Sequence, residues 1–160
     1  MKFDIVSGYD APEEIAALFA EYTAILVEGD PAFRDYLDMQ GYDDELIHPE
    51  RKYGLPDGRL YLVRQGDVPV GCIALRRLDD ERCEMKRLYI RPAFRGHGLG
   101  ERLVRRIIDD ARNIGYRCIL LDTLPFLTTA IALYRRLGFV DTPRYNDSLL
   151  DDTVYMRYDL

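Results

Sequence analysis

Residues 88–100 read Leu88-Tyr89-Ile90-Arg91-Pro92, Ala93-Phe94, then Arg95-Gly96-His97-Gly98-Leu99-Gly100. An apolar run ends at a proline, three glycines follow within five residues, and behind them begins the clearest amphipathic pattern of the chain. Leu99, Leu103, Val104, Ile107, Ile108 and Ala111 recur at helical spacing, with Glu101, Arg102, Arg105, Arg106, Asp109 and Arg112 on the opposite face. Asn113-Ile114-Gly115 ends that helix on a glycine. Residues 116–123 then return as a buried, apolar strand. A strand, a crossover helix and a second strand imply a parallel pair.

Upstream the pattern is antiparallel. Residues 59–64 and 68–78 are apolar runs joined by the hairpin-type turn Gln65-Gly66-Asp67, and Asp79-Asp80-Glu81 leads into a third strand over 82–90. At the start, residues 2–7 alternate as a strand. Asp10-Ala11-Pro12-Glu13 reads as a helix start with Asp10 as N-cap. Ile15, Leu18, Phe19, Tyr22, Ile25 and Leu26 carry that helix to about residue 28, where Gly29-Asp30-Pro31 breaks it. A short helix is expected over 33–38, and residues 40–57, with Pro49, Gly54 and Pro56, read as a long loop of the kind that carries function. Downstream, 128–137 is a short helix ending at Gly138, and residues 139–140 and 153–158 supply closing strands. The expected class is α+β: a mixed, mostly antiparallel sheet with helices on both faces and a central β-α-β unit.

The chain has 160 residues, 48% hydrophobic and 31% charged, which fits one globular domain over 1–160. Within it, 1–57 reads as an N-terminal portion of strand, helices and long loop, and 58–160 as the core. The net charge of −6 argues against a general nucleic-acid binder. That charge is unevenly spread. Residues 86–117 hold nine Lys or Arg against three acids, whereas residues 1–57 hold four basic and fourteen acidic side chains. A basic segment in an acidic chain suggests an anionic ligand of limited size. No apolar core follows Lys2, and no run approaches the ~20 residues of a membrane helix, so the expectation is a cytoplasmic protein without membrane attachment. Cys72, Cys83 and Cys118 form no CxxC and read as reduced thiols; His48 and His97 stand far apart, so no metal site is expected.

Glycines between a strand and a helix let the backbone turn tightly and aim N–H groups at an anion, while the helix start adds unpaired donors; a phosphate or pyrophosphate fits such a loop, with Arg95 in support. A dinucleotide fingerprint would need glycine where Glu101 stands, and no Gly-Lys-Ser/Thr of a Walker loop occurs.

Together these features resemble the GNAT superfamily of N-acyltransferases. Arg95, Gly98 and Gly100 match its Arg/Gln-x-x-Gly-x-Gly/Ala motif, and Ala130 to Tyr134 followed by Gly138-Phe139 is similar to its second motif. The resemblance spans about residues 58–158. It implies acetyl-CoA as co-substrate, with the backbone of Leu88, Tyr89 and Ile90 along the pantetheine and the amides of Arg95, Gly96, His97, Gly98, Leu99 and Gly100 on the pyrophosphate. It also implies Tyr134 as the acid that protonates the leaving thiolate. The family's usual cofactor-binding Asn is replaced by Leu127, with Thr128 as a neighbouring substitute.

Amide formation from a thioester also needs a base. Glu84 is the candidate: on a regular strand Glu84, Lys86, Leu88 and Ile90 share one face. The alternative is a structural ion pair of Glu84 with Lys86 or Arg87. Leu88 N–H is the expected oxyanion donor. The acceptor is expected to be a primary amine of a small molecule or a peptide. The Asp43-Asp44-Glu45 run either lines the open side and favours a cationic amine or serves as solubilising surface, with Tyr36, Tyr42 and Tyr53 in the same wall. An N-acetyltransferase acting through a ternary complex is the leading expectation, and a non-catalytic acyl-CoA-sensing module is the alternative. Monomer and homodimer are both open.

Overall fold

The computed structural model describes residues 2–160, so that of the 1–160 domain only Met1 lies outside the described residues. Seven strands form one sheet: β1 (Asp4–Ser7), β2 (Arg59–Gln65), β3 (Val68–Arg77), β4 (Arg82–Ile90), β5 (Cys118–Thr123), β6 (Val140–Asp141) and β7 (Val154–Asp159). Their order is β1-β2-β3-β4-β5-β7-β6, and every neighbouring pair is antiparallel except β4 with β5. Six helices accompany them: α1 (Pro12–Gly29), α2 (Phe33–Met39), α3 (Tyr42–Ile47), α4 (Glu50–Tyr53), α5 (Leu99–Ile114) and α6 (Thr128–Leu137). The mixed α+β architecture with a central β4-α5-β5 unit is the one expected. Among the described residues no helix is long and apolar enough to cross a membrane.

Strand alternation sorts the core into two layers. Tyr61, Val63, Ile73 and Leu75 pack with Leu103, Ile107 and Ala111 of α5. Their neighbours Leu60, Leu62, Cys72 and Ala74 pack with Ile15, Leu18 and Phe19 of α1 and with Tyr53 of α4. A third cluster joins Leu26 of α1 to Phe33, Tyr36 and Leu37 of α2.

Three expectations need correction. The N-cap of α1 is Ala11, without a side-chain cap bond, because the chain turns helical one residue too late for Asp10 to reach the first turn. Residues 40–57 are largely helical: Pro49 and Gly54, which read as breakers, stand as the N-cap and C-cap of α4. Buried Tyr42, Glu45 and Tyr53 hold α3 and α4 against the rest of the domain.

The third correction concerns β4. Its register with β3 runs Leu75↔Met85 and Ala74↔Lys86, then resumes at Cys72↔Tyr89 and Gly71↔Ile90. Arg87 and Leu88 therefore stand opposite Ile73 alone, in a β-bulge where Arg87 takes φ 62. The extra residue inverts the alternation. Lys86 shares a face with Arg87 and Tyr89, toward α1, while Leu88 and Ile90 turn to the α5 face. Glu84 and Lys86 do not share a face with Leu88 and Ile90. A left-handed non-glycine residue costs roughly 1–3 kcal/mol, and the buried ion pair of Arg87 with Glu45 holds it in place.

Candidate active site

β4 and β5 pair only over Arg82↔Cys118, Cys83↔Ile119 and Glu84↔Leu120. Beyond Glu84 the two strands part, and the β4 edge from Met85 to Ile90 has no partner in β5. A cleft of about 520 Å³ opens in the gap, bordered by Leu88, Tyr89 and Ile90, by the glycine loop, and by the first turns of α6. Gly96 and Gly98 adopt φ 84 and 72, with nothing near the place a Cβ would occupy. Their requirement is one of backbone conformation, not of space. Gly98 is the N-cap of α5 and offers no side chain, so the first-turn N–H groups of a 16-residue helix are left for a ligand. Arg95 and Arg136 also border the cleft.

Behind this cleft lies a second, smaller recess of about 30 Å³. Tyr22, Leu88, Leu127 and Tyr134 border both cavities, so the two meet there. Tyr134 is buried, and burial pushes its hydroxyl far above the ordinary value; Tyr22 is pushed up to about 12 by burial. Both phenols hold their protons at neutral pH.

The recess is polar on its far side. Asp122 Oδ2 accepts from Tyr36 Oη at 2.7 Å and from Asn146 Nδ2 at 2.9 Å. Burial raises the Asp122 carboxyl, but the charge of Lys86 and these hydrogen bonds outweigh it and hold the group below its ordinary value. Lys86 Nζ donates to Gln40 Oε1 at 2.8 Å. Arg87 binds Glu45 through two bonds of 2.7 and 3.0 Å, and Lys52 adds a third at 2.8 Å. Burial pushes Glu45 up, and these cations overcome it, bringing the carboxyl down to about 2.

The acetyltransferase (GNAT) family matches residues 19–139, from α1 through the cleft to Phe139. The chain belongs to the GNAT acetyltransferase family. An uncharacterized N-acetyltransferase of Schizosaccharomyces pombe is 41% identical over 126 residues, which are 78% of this chain and 77% of that protein. An acetyltransferase of Streptococcus agalactiae superposes with a TM-score of 0.78 at 23% identity, covering 99% of this chain and 98% of the other. The PaiA N-acetyltransferase of Thermoplasma acidophilum, solved in complex with coenzyme A, superposes with a TM-score of 0.75 at 15% identity over the whole of both chains.

In this GNAT domain Leu88, Tyr89, Ile90, Arg95, Gly96, Gly98, Leu99, Gly100 and Tyr134 border one cleft. Two of the residues singled out from the sequence do not. The His97 ring lies 5.2 Å from that of Phe3, off the cleft. Glu84 is only 2% exposed and borders neither cavity. It accepts from Arg76 Nε at 2.9 Å and from Tyr145 Oη at 2.5 Å, with Lys86 Nζ 3.7 Å away. Leu127 stands as the N-cap of α6 with no side-chain cap bond.

The acidic run also lies elsewhere. Asp44 pairs with Arg51 at the surface, Glu45 is buried against Arg87 and Lys52, and neither they nor Asp43 border the recess. Of the expected tyrosine wall, Tyr36 lines the recess while Tyr42 and Tyr53 do not. Sequence reading missed Asp122, Gln40, Tyr22 and Phe126. A signal for Phe126 existed at Gly29: it is the last residue of α1, and a Cβ there would stand 2.4 Å from the Phe126 ring.

Proposed function

We propose that this acetyltransferase moves the acetyl group of acetyl-CoA to a primary amine by direct attack within a ternary complex. The observation that carries this reading is the shared wall of Tyr22, Leu88, Leu127 and Tyr134 between cleft and recess, where a donor in one and an acceptor in the other would meet. The cleft suits acetyl-CoA: a free strand edge for amides, left-handed glycines and an uncapped helix start for phosphates, and Arg95 and Arg136 for charge. Acetyl-CoA supplies the activated acyl carbonyl. Leu88, which the bulge withholds from the β3 ladder, offers its N–H to the carbonyl oxygen as negative charge develops there. As the C–N bond forms and the C–S bond breaks, Tyr134 gives its proton to the thiolate, a role suited to a phenol that burial keeps protonated. Direct attack is favoured because Cys72, Cys83 and Cys118 line neither cavity, and burial raises all three thiols.

The proton lost by the amine goes to a carboxylate on the α1 face. Glu84 is the proposed base, reached through water because it does not border the recess. Asp122 is the second reading, favoured by its place in the recess wall and by Oδ1, which accepts no hydrogen bond among the described residues. The whole of 1–160 acts as one catalytic domain in this proposal, since Tyr22 of α1 and Tyr36 of α2 help to wall the two cavities. A cytoplasmic setting fits the three free thiols.

Thiol release from acetyl-CoA, followed with acetyl-amine product across an amine panel, tests the reaction. Tyr134→Phe is expected to lower kcat about 100-fold or more with CoA affinity retained; unchanged turnover would remove Tyr134 as the acid. The variant of the true base, Glu84→Gln or Asp122→Asn, loses the acidic limb of the pH–rate profile, and the other keeps it. CoA binding with no turnover of any amine would instead establish an acyl-CoA-sensing module.

A further inference from the structure

Resting on the acetyl-transfer reading, we propose that the acceptor carries a carboxylate beside its amine, and that Lys86 in the recess binds that carboxylate. Of the two cations that line the recess among the described residues, Arg87 and Lys86, Lys86 is the one without a carboxylate at hydrogen-bonding distance. Arg87 is matched by the two bonds of Glu45, whereas Lys86 Nζ reaches only the neutral Gln40 Oε1. The nearest carboxylate oxygen, Glu84 Oε1, lies 3.7 Å away and already accepts from Arg76. An ammonium has three N–H donors, and one protein bond leaves two of them for a ligand. The Lys86 side chain is nonetheless just 7% exposed, so solvent does little to satisfy it.

Charge counting around the recess points the same way. Arg76, Lys52, Lys86 and Arg87 are four cations in contact networks with Glu45 and Glu84, and Asp122 adds a third acid. One positive charge is left over in this group, of which Lys86 and Arg87 line the cavity. A single added carboxylate balances it, whereas a cationic acceptor tail would add to the excess. Size agrees: about 30 Å³ accommodates a compact head such as a carboxylate and not an extended chain. With that group against Lys86, the amine of a small amino acid is directed toward the wall shared with the cleft.

The test compares the common α-amino acids with their carboxamides and their decarboxylated amines, on wild type, Lys86→Met and Lys86→Arg. In wild type the free carboxylate is expected to lower KM about 10–100-fold relative to the carboxamide. Lys86→Met abolishes that preference, and Lys86→Arg, which keeps the charge, restores much of it. Calorimetry of the same amino acids in the presence of CoA reads binding without turnover. Lys86-dependent binding with no acetylation of any amine would leave the carboxylate site standing and remove the acetyl-transfer reading. Equal or better use of carboxamides or decarboxylated amines by wild type, or a preference that survives Lys86→Met, overturns the proposal.

Discussion

The cleft and the recess share four residues and are built on opposite principles. The cleft is made of backbone: a strand edge left open where β4 and β5 part, two left-handed glycines and the uncapped start of α5. The recess is made of side chains brought from three separate stretches of the chain, Gln40, Lys86-Arg87 and Asp122, with Asn146 holding Asp122 from behind. Backbone recognition depends on local conformation, and local conformation is written in a short run of residues. Side-chain recognition depends on which elements the fold packs together.

This difference can be broken from either side. The largest effect is expected at Glu45, which supports the recess without lining it. Glu45→Ala leaves the buried Arg87 charge without its partner and should cost about 3–5 kcal/mol, lowering the thermal midpoint by roughly 6–20 °C. Its folded-state carboxyl is depressed from the usual 4.5 to about 2, so its contribution is full above 4.5 and lost as pH falls toward 2. Thermal melts of wild type and variant should therefore converge over that window. A gap that stays constant to pH 2 would show that the ion pair is not its source.

A smaller effect, confined to the cleft, is expected from Gly98→Ala. At φ 72 a Cβ costs about 1–2 kcal/mol, which should weaken CoA binding about tenfold and leave the acceptor KM unchanged. A parallel change in acceptor KM would mean that the two cavities are mechanically coupled. The smallest effect is expected at their shared wall. Leu127→Asn supplies α6 with the N-cap it lacks and should raise stability by about 0.5–1 kcal/mol, with CoA affinity equal to or tighter than wild type. Loss of CoA affinity in this variant would show that the leucine contributes apolar contact to the cofactor.

Legibility in the sequence followed the same division. The run from Leu88 to Gly100 marked the strand, the turn and the helix because glycine spacing and 3.6-residue periodicity are local properties. Tyr134 stood out only through the resemblance of Ala130 to Tyr134 and Gly138-Phe139 to the family's second motif. Glu84 was legible as a carboxylate near the glycine loop, but its facing was not. Regular alternation places Glu84 with Leu88 and Ile90, and one extra residue at Arg87 reverses this. Nothing at Arg87 itself announces the bulge, because what stabilises its positive φ is Glu45, 42 residues earlier. Asp122 ends an apolar strand without any local motif, and only the convergence of Tyr36 and Asn146, 86 and 24 residues away, gives it a place in the site.

The amino-acid sequence by itself determined the class of fold, the order of its elements and the glycine loop proposed here for the cofactor's phosphates, since periodicity, glycine placement and the helix start act over a few residues. Only the tertiary structure decided which charges remain in the recess. The acidic N-terminal segment read either as a wall favouring a cationic amine or as solubilising surface, yet its Glu45 lies buried against Arg87 and Lys52, and Lys86 is left facing the cavity. Charge composition adds along a chain, but the field inside a site depends on which partners folding brings within reach.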